Sequence, residues 1–171
     1  MVRIPTSALL QGMFSIVICT LPACVQPPAF VVQGATGEVV PLGAWTATLA
    51  GVGETTSLRG TATVAPGRTI SETQAHVTLT GATPSAAHPW FLQLGDCGND
   101  RGVLGGLMAY PPIMADEQGE ARLTVTLPFT MPTTGHYFVS VRRSEALVST
   151  VIACGNLTRA GDAPVLQTAA R

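Results

Sequence analysis

A chain of 171 residues, 46% hydrophobic and only 11% charged, holds enough apolar material for one folded domain and too little charge for wholesale disorder. Its net charge of −1 argues against the basic footprint of a nucleic-acid binder, or of a protein held electrostatically on an anionic membrane. All nine basic residues are arginine, a compositional bias that points to no site.

The N-terminus carries Arg3 and then an apolar run from Ala8 to Leu21, broken only by Gln11, Gly12, Ser15 and Thr20. That run is short for a membrane span and suits the core of a signal peptide. It ends in Leu21-Pro22-Ala23-Cys24, which has the form of a bacterial lipobox: Leu at −3, a small residue at −1, and the cysteine that receives lipid. Pro22 is unusual at −2, so cleavage by an ordinary signal peptidase nearby, or a retained anchor, stays open. The expectation is a signal peptide over 1–23, a lipid anchor at Cys24 and an exported protein facing the periplasm or the cell exterior. Val25, where an inner-membrane retention signal would place Asp, favours the outer membrane. Residues 24–42 contain Pro27-Pro28, Gly34 and Gly37 with little periodicity, and read as a flexible tether.

Short alternating segments follow, separated by turn signals, and predict one domain over 43–158. They are 45–50, 59–64 (closed by Pro66-Gly67), 73–80 with Ala75, Val77 and Leu79 alternating, and the apolar run 90–94. A long Gly/Pro-rich loop is expected from Gly95 to about Pro112. Further strands are expected over 121–127, 137–142 and 150–153, with turn chemistry at Glu117-Gln118-Gly119-Glu120 and Pro132-Thr133-Thr134-Gly135. Residues 159–171 read as a loose tail. No segment beyond the signal peptide has a helical period, so the fold class is all-β, an antiparallel sandwich or barrel.

Of four cysteines, Cys19 lies in the segment to be removed and Cys24 would carry lipid, which leaves Cys97 and Cys154. In an exported protein such a pair reads as a structural disulfide; two unrelated buried thiols are the alternative. The bridge would close a loop of roughly 58 residues and stabilise by roughly 4 kcal/mol in the chain-entropy description.

The cysteines stand in matching settings. His88-Pro89-Trp90-Phe91-Leu92-Gln93-Leu94-Gly95-Asp96-Cys97-Gly98 and Thr150-Val151-Ile152-Ala153-Cys154-Gly155 are both β-prone runs that end in Cys-Gly. Together with Met114 to Ala121 and Gly135 to Val141, they make the chain resemble the Cu/Zn superoxide dismutase family, including its bacterial secreted branch, over roughly Ala44 to Leu157. The resemblance implies a Greek-key β-barrel of about eight strands, with Cys97–Cys154 as its intrasubunit bridge. It also maps two copper histidines, two apart on one strand face, onto Phe91 and Gln93, and a third onto Arg142. Phe has no lone pair to offer, a Gln amide is a poor copper ligand, and an Arg cation repels the metal. The stretch from Gly95 to Pro112, which would supply zinc histidines, has none; the zinc aspartate falls near Ala109 or Tyr110, and the superoxide-guiding arginine on Val151.

Other chemistry finds little support. His76, His88 and His136 lie on or beside three different strands without paired ligand spacing, so they read as surface or strand-end residues rather than a new metal site. Asp96, Asp100, Asp116, Glu117 and Glu120 show no calcium-loop spacing. There is no Gly-x-Ser-x-Gly elbow, and Gly102 to Gly106 has no helix after it to cradle phosphate. Asn156-Leu157-Thr158 fits a glycosylation pattern that means little in a bacterium.

The segment Val103 to Met114 is unusually apolar for a connection. It is expected either to pack on its own barrel or to meet a protein partner or a second copy through Leu104, Leu107, Met108 and Tyr110. The expected function is a non-catalytic, metal-free structural or binding module of the cell envelope, without cofactor. The alternative is an active dismutase that holds copper and zinc through displaced ligands.

Overall fold

The computed structural model describes residues 31–33, 39–41, 43–146 and 148–160. Cys24, the expected signal peptide over 1–23 and residues 161–171 lie outside them. Within the expected tether, β1 (Val31–Gln33) pairs antiparallel with β2 (Val39–Pro41).

The longer strands follow directly from side-chain alternation. In β3 (Trp45–Gly51), Trp45, Ala47 and Leu49 are buried and the residues between them are not. β4 (Arg59–Pro66) pairs with β3 in unbroken register from Trp45↔Val64 to Ala50↔Arg59. β5 (Thr73–Thr80) buries Thr73, Ala75, Val77 and Leu79, turning Gln74 and Thr80 to solvent. These period-2 patterns let one strand face enter the core while the other stays wet.

After β6 (Ala87–His88) comes β7 (Trp90–Asp96), and β8 (Asn99–Val103) returns along it with Asp96↔Asn99 and Gly95↔Asp100 opposed. The expected Gly95-to-Pro112 loop is thereby corrected: its first part is a hairpin. Gly95 (φ 100°) and Gly98 (φ 87°) supply the left-handed backbone that this reversal requires. Asn99, Asp100, Arg101 and Gly102 are all exposed, so the strand lies at a wet edge and carries no apolar alternation. The remainder contains one 3₁₀ turn, Leu107–Ala109, before β9 (Ile113–Met114).

β10 (Ala121–Leu127), β11 (Tyr137–Arg142), β12 (Val151–Asn156) and β13 (Thr158–Arg159) complete the described strands. The β12 strand continues three residues past the expected Ala153. Arg159 pairs with Trp45, which carries the folded unit one residue beyond 158. The main sheet runs β10-β5-β4-β3-β12-β11-β7-β8, with β13 beside β3. Three connections join strands that are not neighbours in this order: β5 to β7, β8 to β10 at the opposite end, and β10 to β11, which inserts β11 between β7 and β12.

Ala115 bridges Ala121 at the edge of β10, and β9 pairs with β6, which leads through Pro89 into β7. The sheet thus curls into a half-barrel around Leu49, Val64, Val77, Leu79, Trp90, Leu92, Ile113, Leu127, Val139 and Val141. All six residues of β11 are buried, so this central strand is covered on both faces. Its inner side chains enter the core; its outer ones belong to the site.

Candidate functional site

β11 lies between β7 and β12, and the pairings Phe138↔Gln93 and Ser140↔Phe91 put those residues side by side. Beyond the irregularity at Val141/Arg142, Arg142 joins the same cluster. Its guanidinium carbon stands 5.9 Å from the centre of the Phe91 ring, within cation–π range. Its Nη2 donates to Gln93 Oε1 at 3.0 Å and lies 3.6 Å from Asp100 Oδ2. The Gln93 amide nitrogen donates to that same Asp100 oxygen. The three positions that the resemblance maps onto copper histidines therefore come together and are joined by a fourth residue, Asp100.

The donor set does not suit a copper ion. Phe91 offers a hydrocarbon ring, and both ends of the Gln93 amide are already bonded, to Arg142 and to Asp100. Arg142 is 9% exposed and permanently charged. A divalent ion about 4 Å from it would meet a repulsion of about 8 kcal/mol at an effective dielectric near 20, offset only in part by Asp100.

A cavity of about 370 Å³ opens beside this cluster. Val52, Phe138, Val151 and Cys154 form its apolar wall; Gln93, Asp100 and Arg142 form the polar side. Val151, onto which the resemblance maps a guiding arginine, contributes to the apolar wall. Cys154 is disulfide-bonded to Cys97 with Cα atoms 5.9 Å apart, an ordinary separation. The Cys97 N–H also donates to Asn156 Oδ1 at 2.8 Å, so the turn after β7 is tied twice to the end of β12.

Among the described residues, three buried side-chain atoms have no hydrogen-bond partner: Arg142 Nε, Ser140 Oγ and His88 Nε2. His88 is fully buried at 0% exposure, which corrects its reading as a surface residue while leaving it at a strand end. Its Nδ1 lies 3.1 Å from Arg142 O and 3.0 Å from Arg143 O. Carbonyl oxygens only accept, so Nδ1 carries the proton, and the ring fastens the end of β11 just past the cluster. His76 meets Thr124 Oγ1, and exposed His136 faces Asp96, each on its own part of the sheet. Among the described residues, no group of three or more His, Cys, Asp or Glu is placed to hold a metal.

The apolar connection divides. Tyr110 is 7% exposed, with its hydroxyl donating to Leu104 O at 2.6 Å and its ring edge-on to Trp90 and Phe91. Leu104 is half-buried and packs on the core. Both therefore turn toward the barrel, which corrects their inclusion in a partner surface. Leu107 and Met108, at 61% and 99% exposure, remain at the tip.

Asp100 and Phe138 are members of the site that sequence reasoning missed. Asp100 sits in a polar, turn-like stretch, and only its pairing opposite Gly95 aims it at Gln93. Phe138 read as one more apolar residue of a strand. Among known proteins, the chain matches no family model and no curated relative.

Proposed function

We propose that the chain is a non-catalytic, metal-free envelope protein with a Greek-key barrel of the Cu/Zn superoxide dismutase type, working as a structural or binding module. The observation that carries this is the closed cluster of Phe91, Gln93, Arg142 and Asp100 at the mapped copper positions. A guanidinium bonded to a carboxamide fills space and charge that imidazoles and a redox ion would need.

Further support for the barrel type comes from the crossover connections, since strands that leave their sequence neighbours in this way make Greek keys. The Cys97–Cys154 bridge, which the same resemblance implies, adds to it. Export and a lipid anchor at Cys24 rest on the N-terminal run and the Leu21–Cys24 motif, and a disulfide agrees with an oxidising compartment. Leu107 and Met108 are the part of the loop left to meet a protein partner or a second copy.

The test is elemental analysis of the full chain refolded with copper and zinc supplied, with superoxide removal measured alongside. The expected outcome is metal far below one equivalent and no superoxide removal. Stoichiometric copper with superoxide removal would overturn the proposal in favour of an active dismutase.

A further inference from the structure

The cavity beside Arg142 combines an apolar wall with one incompletely bonded cation. Its volume of about 370 Å³ is more than twice the ~150 Å³ of a dry cavity that takes up benzene, and within the usual range for ligand pockets. The wall is made by Val52, Phe138, Val151 and Cys154, and the polar groups are confined to one side.

Arg142 carries donors in a rigid fork, and they are poorly used. One Nη2 bond to Gln93 is of ordinary length, at 3.0 Å; Nη1 reaches Ser149 O only at 3.5 Å; Nε has no partner. A permanent charge held nine-tenths out of solvent with spare donors favours an incoming oxyanion, because a charge-assisted bond is strongest where water is scarce. Asp100 does not remove that preference. Its side chain is half-exposed and sits 3.6 Å away, and its oxygens already accept from Gly102 N–H and from the Gln93 amide. An inorganic anion would leave the apolar wall uncovered, and a neutral apolar ligand would leave the spare donors of the guanidinium unused.

We propose that this cavity binds an organic carboxylate with an apolar body the size of a ring or a medium-length alkyl chain. The carboxylate meets Arg142 and the body lies against Val52, Phe138 and Val151. This rests on the reading of the chain as a binding module, and names the class of its ligand.

The experiment is calorimetric titration of the purified full chain, without added metal, using octanoate and its uncharged counterpart octanamide. Octanoate is expected to bind saturably and at least about tenfold tighter than octanamide. Arg142→Met is expected to abolish that difference. Asp100→Asn keeps an acceptor for Gln93, gives up the one for the Gly102 N–H and removes the competing charge, and is expected to tighten octanoate severalfold. Equal binding of the two probes to the unaltered chain would overturn the proposal, as would weaker octanoate binding by Asp100→Asn. Both comparisons stand even if Arg142→Met fails to fold. Copper uptake in the elemental analysis would overturn the metal-free reading independently, so the two failures are distinguishable.

Discussion

Arg142 and Tyr110 show how burial gives a side chain a role that its identity alone does not. Arg142 sits at a strand end, where an arginine ordinarily reaches into water; here Phe91, Gln93 and Asp100 hold it against the sheet. Tyr110 is pressed among Trp90, Phe91 and Phe129, and burial pushes its phenol well above the ordinary value of 10.0. The folded state therefore keeps a proton that the unfolded chain gives up. The resulting stabilisation is complete below the ordinary phenol value, and is lost as pH rises from there through the higher folded value. Denaturation in urea between about pH 8 and about pH 11 is expected to show a steeper loss for the unaltered chain than for Tyr110→Phe. Equal slopes would refute the assignment. Phe91, Gln93 and Arg142 could be picked out at the sequence level only because the resemblance maps metal-ligand positions onto them. Asp100 could not, because nothing near it marks which way its edge strand faces.

β8 and the apolar connection after it are where local pattern and tertiary placement part. An edge strand whose Asn99, Asp100, Arg101 and Gly102 are all exposed shows no alternation to reveal it, whereas β5 announces itself by strict alternation. The disulfide acts at the same level: it fastens the β7–β8 turn to β12, across a sequence separation of 57. Replacing both Cys97 and Cys154 by Ser is expected to lower unfolding free energy by roughly 4 kcal/mol in the chain-entropy description, read by urea denaturation. A loss under about 1 kcal/mol would mean that the bridge is incidental to the fold. Within the connection, Leu104 and Tyr110 turn inward while Leu107 and Met108 do not, a division that composition alone does not show because all four are apolar.

The proposed anchoring concerns the whole protein. If Cys24 carries lipid, the full chain expressed in a bacterial host is expected in the membrane fraction, and Cys24→Ala in the soluble one. A Cys24→Ala protein that stays with the membrane would rule out the lipid as the attachment. Such a tether would leave the half-barrel in an oxidising compartment, where the Cys97–Cys154 bond persists.

The longer alternating strands and the all-β class were legible in the chain, because period-2 alternation and turn residues are local properties, and the Cys97–Cys154 pairing followed from the expectation that Cys19 and Cys24 are otherwise committed. The order β10-β5-β4-β3-β12-β11-β7-β8 is not local. Only the folded sheet sets β11 between β7 and β12, brings Asp100 to Gln93 and Arg142, and leaves a cavity beside them. Those contacts join residues far apart in sequence, and their geometry is fixed by register and curl, which no short stretch of sequence encodes.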